Sequence, residues 1–361
     1  MRKPKSMIVS HKFNPGHYSH LIANQKLLVE AGYDCTYYWA KEFDHFTQHK
    51  QDDVVNGYSS VFELKRGDLL VVWFPSLRVL FDMFLTKFFT PASVIYIFHE
   101  PVDSVRAYIK SGFGLAKTAR IMLISLINRL LVALSDKIVL PSENAFQTFK
   151  SRYHYRGQIA KISLMFDDEC GENQILSLSA RKYVSYIGTI AEDHAFDEFV
   201  KFVVDALKKD ELPNLNFLIA SRSKLPDDLL NILADFKGDP RLKIVSGKPL
   251  SNDEINSYFS QSIVVWNAYR RSMQSGVLPK AFMFGTPVLI SSNNRSEFFE
   301  NNKTGIEISL TYQKSEIYEA IYRIQSDFQK FSNLAREKFL SNFYYKALAA
   351  DFIRLVNQRE Y

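Results

Sequence analysis

Residues 273–290 read MQSGVLPKAFMFGTPVLI, and the run IVVW precedes them at residues 263–266. The short apolar run is typical of a buried parallel strand. Pro279 fits the first turn of a helix, where its missing N–H costs nothing. Gly285 fits the position after the end of that helix, and Pro287 stops any continuation. The segment therefore predicts a strand, a polar loop, a short helix and a second strand. Such a loop directs backbone N–H groups and the positive end of a helix dipole at an anion.

The composition of the chain limits the class of protein. A length of 361 residues favours two domains, each large enough for its own core. The two cysteines, Cys35 and Cys170, match no metal or redox spacing, which favours a reducing compartment. Neither the apolar core of a signal peptide nor a run of roughly 18 apolar residues occurs. We therefore expect a cytoplasmic protein that is soluble or attached peripherally to the inner face of the cytoplasmic membrane.

The formal charge of +6 is distributed unevenly. Residues 1–165 contain 21 Lys and Arg against 13 Asp and Glu, a difference of +8, so the remainder carries −2. A basic N-terminal half favours an anionic membrane surface or a phosphate-bearing acceptor as a partner. Nucleic acid is not an expected partner, because no run of Lys and Arg and no nucleic-acid-binding motif is present.

The motif QSGVLPKA at residues 274–281, followed by FGTPV at residues 284–288, resembles a known donor-binding segment. It is similar to that of group 1 (family 4) glycosyltransferases, in the subgroup with the Gln-Ser-Gly-Val-Leu-Pro signature. The resemblance implies an α/β protein of the GT-B fold, in which two Rossmann-like domains with parallel sheets face each other across a cleft. It implies the transfer of a sugar from a nucleotide diphosphate-sugar donor.

The resemblance also implies a division of the chain. The acidic, irregular stretch after residue 165 is expected to link the two domains, and the last helix is expected to cross back to the first domain. The expected segments are an acceptor-binding domain at residues 1–165, a linker at 166–181, a donor-binding domain at 182–340 and a returning helix at 341–361.

In the second domain, the strand YVSYI runs into Gly188 and Thr189. Family members often have an arginine at the position of Thr189 and a lysine several residues later, near His194. Because these cations are missing, the phosphate charge would be matched by Arg222 and Lys224 or by Arg270 and Arg271. The resemblance further implies that the donor is bound by the turn of Gln274, Ser275, Gly276 and Val277, with Glu297 at the position of a family carboxylate. Gln274 or Tyr269 could hydrogen-bond the sugar, and Lys280 could face phosphate or solvent.

In the first domain, His99 and Glu100 follow the apolar run VIYIF. This is the edge at which open α/β sheets bind ligands. The resemblance implies that His99 contacts the donor sugar, and the alternative is a strand-end histidine bonded to backbone. Glu100 is either a general base for an acceptor hydroxyl or a capping or salt-bridging residue.

A loop is expected at residues 11–20, followed by a helix at residues 26–31. The resemblance places Gly16 of this loop beside the donor phosphates, and the alternative is an ordinary turn glycine. His17 and Tyr18 of the same loop are expected to bind the acceptor.

The helix predicted at residues 117–135 has a broad apolar face and a narrow polar stripe formed by Thr118, Ser125, Asn128 and Arg129. Lys110, Lys117 and Arg120 cluster near its start. Its apolar face packs against the sheet in one interpretation, and part of this surface lies against the inner leaflet of the membrane in the other.

The chain departs from the family at a second point. The usual Glu-x7-Glu pair of the donor segment is replaced by Ser272 and Lys280. A retaining glycosyltransferase of bacterial surface polysaccharide or lipopolysaccharide assembly, with a saccharide or lipid-linked saccharide acceptor, is the first hypothesis. A non-catalytic GT-B homologue that binds a glycan or a partner enzyme is the second, and a sugar-nucleotide epimerase is the third. No metal is expected, because the chain contains no metal-chelating Asp-x-Asp motif. No cofactor is expected either.

Overall fold

The computed structural model describes residues 2–13, 15–43, 58–99, 101–170, 175–209, 215–271, 275–294, 296–309 and 313–358. The chain forms two compact units. The first unit comprises residues 1–110, 114–167 and 343–361, and the second comprises residues 111–113 and 168–342.

Each unit contains a six-stranded parallel sheet. The strands are β1 (Lys5–Ser10), β2 (Asp34–Trp39), β3 (Leu69–Trp73), β4 (Ser93–Ile97), β5 (Lys137–Leu140), β6 (Gln158–Lys161), β7 (Tyr183–Ile187), β8 (Asn216–Ser221), β9 (Leu242–Ser246), β10 (Ser262–Asn267), β11 (Val288–Ser291) and β12 (Gly305–Ile308).

Helices follow most of the strands, as is usual for parallel sheets. They are α1 (Pro15–Glu30), α2 (Leu77–Phe89), α3 (Val105–Lys110), α4 (Leu115–Leu134), α5 (Glu143–Arg152), α6 (Phe196–Lys209), α7 (Asp227–Ala234), α8 (Asn252–Gln261), α9 (Val277–Met283), α10 (Lys314–Ser326), α11 (Phe328–Asn342) and α12 (Tyr345–Asn357).

The sheet of the first unit has the strand order β2-β1-β3-β4-β5-β6. Every residue of β3 is buried, as expected for an apolar strand that is covered on both faces. At the C-terminal end of the chain, α12 packs against α1. The Phe166 amide donates to the Phe343 carbonyl at 2.8 Å, and the Phe166 carbonyl accepts a hydrogen bond from the amide of Tyr345, the first residue of α12, at 3.0 Å.

The helix after β1 begins much earlier than the sequence analysis predicts. The expected loop at residues 11–20 and the expected start near Lys26 are wrong, because α1 already begins at Pro15. Proline is favoured in a first helical turn, since its φ is preset for the helix. The apolar period is hidden here because the inward side of α1 carries polar residues, among them His17, His20 and Asn24.

The sheet of the second unit has the order β12-β11-β10-β7-β8-β9, so β7 and β10 are neighbours. The predicted strand–loop–helix–strand unit is confirmed as β10, α9 and β11. Gly285 follows the end of α9 with a φ of 59°, in the left-handed region that glycine tolerates. A Cβ at this position would also lie 2.6 Å from the Ser332 hydroxyl oxygen. Only glycine fits at this position, and its left-handed conformation ends the helix.

The buried guanidinium of Arg181, just before β7, connects β10 with the turn between α9 and β11 in the second unit. It donates to the carbonyls of Ser262 and Phe284 and to the Thr286 hydroxyl, each at 2.7 Å. Burial lowers the pKa of Arg181 to about 10. The side chain is thus a structural cation that is satisfied by neutral acceptors.

Replacing Arg181 with alanine is expected to lower the free energy of unfolding by about 3 kcal/mol or more, because buried acceptors lose their donor. Urea unfolding of Arg181→Ala measures this change. Arg323→Ala, at an exposed position of α10, is the matched control and is expected to change stability by less than about 0.5 kcal/mol. Equal stability of the two variants would contradict the structural role of Arg181.

Candidate functional site

The turn after β7 meets the start of α9 at the carboxyl edge of the second sheet. Gly188 has a φ of 138°, and a Cβ placed on it would lie 3.3 Å from the Val277 side chain. A residue with a side chain at this position would be strained and would press on the helix. The close approach therefore depends on glycine, and it brings two predicted donor-binding residues together.

The loops after β7 and β8 are also joined. The Ile190 amide donates to the Ser223 hydroxyl at 3.2 Å, and the Gly188 amide donates to the Ala220 carbonyl at 3.0 Å. These bonds place Arg222, the first residue after β8, on the same edge as Gly188 and Thr189.

Arg222 is half-buried, and burial lowers the pKa of its guanidinium. Within the described parts of the chain, no carboxylate pairs with it. A partly desolvated cation without a counter-charge attracts an anion more strongly than a solvated one does. Lys224, two residues later, is exposed, and its side chain packs 3.6 Å from the Cβ position of Gly247.

The loop after β10 is held by its own hydroxyl groups. The Tyr269 and Ser275 hydroxyls hydrogen-bond each other at 3.0 Å, and the Ser275 oxygen also accepts the Val277 amide at 3.1 Å. The ring of Tyr269 is buried and stacks on His194 with a centroid distance of 4.5 Å. Burial raises the pKa of Tyr269 and lowers that of His194, so both rings are neutral near pH 7. The amide of Val277 is thus already used inside the loop.

Thr189 contributes its carbonyl oxygen to the same cluster. That oxygen accepts hydrogen bonds from the Tyr186 hydroxyl at 2.7 Å and from His194 Nδ1 at 2.5 Å. His194, near the position where the family commonly has a lysine, therefore shapes the turn after Gly188.

The two other candidate phosphate ligands are engaged by carboxylates of the second unit. Arg270 contacts both oxygens of Asp197 at 2.7 Å, and Arg271 donates to Asp193 at 2.8 Å. Of the two pairs that the sequence analysis leaves open, Arg222 and Lys224 are the pair without a described ion-pair partner.

Lys280 is expected to face phosphate or solvent, and its surroundings do not match this expectation. Its side chain is 8% exposed, and its ammonium lies 2.6 Å from the Glu169 carboxylate. The same carboxylate oxygen accepts the amides of Asn252 and Asn256 at 2.5 and 2.7 Å. A lysine at this point of α9 therefore holds the segment that leads into the second unit.

The loop after β11 is fastened to the loop after β10. The Ser291 hydroxyl donates to the Tyr269 carbonyl, and the Asn294 amide donates to the Asn267 carbonyl at 2.9 Å. Glu297, the predicted carboxylate of this loop, is exposed on the surface three residues further on.

In the first unit, three rings meet at the carboxyl edge of β3 and β4. The His17 ring stacks on Phe74 with a centroid distance of 3.6 Å and an interplanar angle of 11°. His99, just after β4, lies 5.4 Å from Phe74 and 6.4 Å from His17, between ring centroids. Flat rings can stack on a sugar, and imidazole nitrogens can hydrogen-bond its hydroxyls. The structure thus brings the predicted residues His17 and His99 together.

Gly16 and Tyr18 flank His17 in the first turn of α1, in place of the expected loop. Two further predicted residues, Glu100 and Gln274, lie outside the described residues.

Phe74 was not predicted as a site residue. Its φ of 59° lies in the left-handed region, where a bulky side chain is an outlier that costs about 1–3 kcal/mol. Such strain is found most often at functional sites. The only signal in the sequence is a large aromatic residue between the end of an apolar strand and a proline, which is weak.

His11 and Asp82 also escaped the sequence analysis. His11 follows β1, and its Nε2 lies 2.5 Å from an Asp82 oxygen of α2. Both side chains are buried, so the pair fixes α2 against the end of β1. The two residues are 71 positions apart, and no sequence pattern indicates that they form a pair. Within the described ranges, no group of three or more His, Cys, Asp or Glu side chains is arranged to hold a metal ion.

Comparisons with known proteins agree with this architecture. Residues 181–327 match the family described as "Glycosyl transferases group 1". No curated protein sequence matches the chain significantly.

Among solved structures, HepE from Anabaena in complex with UDP-glucose superposes with a TM-score of 0.70 at 11% identity, covering 97% of this chain and 98% of that one. Sucrose-phosphate synthase from Thermosynechococcus elongatus gives a TM-score of 0.69 at 14% identity, with 98% of each chain covered. A glycosyltransferase from Rickettsia africae gives 0.69 at 12% identity, covering 99% of this chain and 98% of that one. The chain therefore has the GT-B fold, and its residues 181–327 match the group 1 glycosyltransferase family.

Proposed function

We propose that the protein is a glycosyltransferase that moves a sugar from a nucleotide diphosphate-sugar to a saccharide acceptor. The observation that carries the proposal is the close approach of Gly188 to the Val277 side chain, at the same carboxyl edge of the second sheet as the half-buried Arg222. Ligands of open α/β sheets bind at this edge. The family match over residues 181–327 and the neighbours of the same fold support it.

The diphosphate of the donor would bind at this edge, just before α9. Gly276 precedes α9, and a Cβ on it would meet no atom within 4 Å. We assign the turn at Ser275 and Gly276 to the leaving diphosphate, with Arg222 and Lys224 as its counter-charges. Fixed dipoles and cations stabilise the charge that develops on a leaving phosphate. Transfer through these groups alone would be independent of metal.

The sugar would be positioned by the rings of the first unit. We assign His99 to the donor sugar, and His17 and Tyr18 to the acceptor, because His17 and His99 share the Phe74 cluster. Positioning is the contribution expected of such groups, since they hold the reactants in a reactive geometry. Retention of anomeric configuration is proposed from the family resemblance.

The acceptor we propose is a saccharide or lipid-linked saccharide in bacterial surface polysaccharide or lipopolysaccharide assembly. The excess of basic residues in the first 165 residues supports an acceptor that carries phosphate.

A thermal-shift screen against UDP, GDP, ADP and dTDP tests the donor site. One nucleotide is expected to stabilise the protein, by about 2.7 kcal/mol at a hundredfold excess over its Kd. UDP is the first candidate, since HepE was solved with UDP-glucose. If none of the four raises the melting temperature, the proposal is contradicted.

The alternative is a non-catalytic homologue that binds a glycan or a partner enzyme, and it leads to a different prediction. The absence of the Glu-x7-Glu pair is the feature that favours it. It predicts that no nucleoside diphosphate is released from a nucleotide sugar in the presence of any saccharide acceptor. The proposed enzyme releases the nucleoside diphosphate.

A further inference from the structure

Helix α2 of the first unit presents apolar side chains to solvent. Its buried side faces the sheet and includes Val79, Met83 and Thr86. The residues of the outward side recur at intervals of four and three, which places them on one line along the helix. They are Leu77, Phe81, Phe84 and Phe88, with exposures of 72, 47, 44 and 63%. Phe89 beside them is also exposed.

Helix α4 also exposes apolar side chains to solvent. The polar residues Thr118 and Asn128 are buried, and the Asn128 side chain accepts the Tyr96 hydroxyl at 3.2 Å. Its polar stripe therefore contributes to the inward side, and much of its broad apolar face points outward. The exposed residues are Leu115, Leu123, Leu126 and Leu130.

The two outward sides form one surface. Because α2 and α4 follow β3 and β4 of one parallel sheet and pack beside each other, they cover the same side of it. Among the described residues, 12 of the 18 exposed large apolar side chains belong to residues 62–130. Such a concentration marks an interaction surface, whereas single exposed leucines do not. We call the outward sides of α2 and α4 the apolar face.

Basic residues border this face. The segment from α3 to the end of α4 contains five Lys and Arg and no Asp or Glu, and all five are exposed. They are Arg106, Lys110, Lys117, Arg120 and Arg129. At 3.6 residues per turn, Arg120 and Arg129 flank the leucine line of α4 on its two sides. Basic residues beside an apolar helix face are the pattern of a helix that lies in a membrane interface.

We propose that the apolar face docks on the surface of an anionic lipid bilayer. The leucines and phenylalanines would enter the boundary between head groups and acyl chains, and the cations would contact lipid phosphates. A second copy of the chain fits less well. A symmetric contact through this face would bring the five cations of each copy together, and the segment offers no carboxylate to pair with them. Within the described ranges, no helix is long and apolar enough to span a membrane.

Co-sedimentation of the full chain with phosphatidylcholine vesicles, with and without phosphatidylglycerol, tests the proposal. Binding is expected to the phosphatidylglycerol vesicles at low salt and to weaken at high salt. Lys117→Glu/Arg120→Glu is expected to lower the partition coefficient by about thirtyfold or more, because each basic residue near an anionic surface contributes about 1 kcal/mol, or about fivefold. Phe84→Ser/Phe88→Ser is expected to lower it at least about tenfold.

Leu230→Ser/Ile232→Ser on α7 is the matched control, because these side chains are similarly exposed in the second unit. It is expected to bind vesicles as the unaltered chain does. All three variants replace exposed side chains, so their melting temperatures are expected to stay close to that of the unaltered chain and to exclude misfolding.

Three outcomes would overturn the proposal. The first is no sedimentation with phosphatidylglycerol vesicles at low salt. The second is binding that Lys117→Glu/Arg120→Glu and Phe84→Ser/Phe88→Ser leave unchanged. The third is a dimer in light scattering that Phe84→Ser/Phe88→Ser dissociates, without vesicle binding, which would assign the face to a second copy. Nucleotide binding is measured without vesicles, so the outcome here is independent of the proposed transfer reaction.

Discussion

Replacing Gly276 with aspartate is expected to lower the affinity for the donor nucleotide at least about a hundredfold. The added carboxylate would stand at the turn that we assign to the diphosphate. Two unit charges of like sign at 4 Å repel by about 4 kcal/mol at an effective dielectric constant of about 20, so partial screening still leaves a large effect. Isothermal titration calorimetry with the nucleotide found in the thermal-shift screen measures it.

Gly276→Ala is the matched control for this substitution. Gly276 has an ordinary φ of −70°, and a Cβ there meets open space, so the alanine variant is expected to fold normally. Its affinity should change by less than about threefold, since no charge is added. If the aspartate variant binds the nucleotide as the alanine variant does, the diphosphate does not lie at this turn.

Replacing Arg222 with methionine is expected to weaken donor binding by about thirtyfold. A guanidinium that forms charge-assisted hydrogen bonds to phosphate contributes about 1.5–3 kcal/mol. Arg222→Lys should recover only part of this affinity, because an ammonium cannot make the bidentate contact. Lys237→Ala, at an exposed position of the same unit, is the control for a general loss of positive charge.

The same methionine variant is expected to leave stability unchanged or to raise it by about 1 kcal/mol or less. Burial disfavours the charged form of Arg222, and no described carboxylate offsets this cost. A structural arginine such as Arg181 would show the opposite behaviour. Urea unfolding of Arg222→Met without ligand therefore separates a binding role from a structural one, and a clear loss of stability would count against the binding role.

Much of the fold can be read from local patterns in the sequence. The apolar runs of β3, β4 and β10 are buried on both faces of a parallel sheet, so they have a strong signal that does not depend on distant residues. The turn of α9 into β11 was equally readable, because Gly285 has a conformation that few other residues adopt.

Sequence patterns failed where tertiary contacts bury polar side chains of a helix, in place of the apolar ones that usually face inward. The polar residues on the inward side of α1 obscure its start in the sequence, since the His17 ring stacks on Phe74, just after β3, and the His20 ring stacks on Trp73 of β3. The sequence left the orientation of α4 open for the same reason. Asn128 is buried because Tyr96 donates a hydrogen bond to it.

The candidate site could be predicted only as a set of positions. Gly188 and Val277 can be named from motifs, whereas their contact depends on β7 and β10 being neighbours, which no local pattern reveals. The partners of the basic residues are also set by the fold. Arg270, Arg271 and Lys280 are bound by Asp197, Asp193 and Glu169, and each carboxylate is more than 70 residues away in the chain.

The proposed sugar transfer releases a nucleoside diphosphate at the turn of Ser275 and Gly276, close to Gly188. The direct measurement is the initial rate of nucleoside diphosphate release, with a panel of nucleotide sugars and a saccharide acceptor, for the unaltered chain, Gly276→Ala and Gly276→Asp. We predict acceptor-dependent release by the first two proteins and at least about a hundredfold slower release by the third. Equal rates for all three proteins, or no release from any donor by the unaltered chain, would contradict the account.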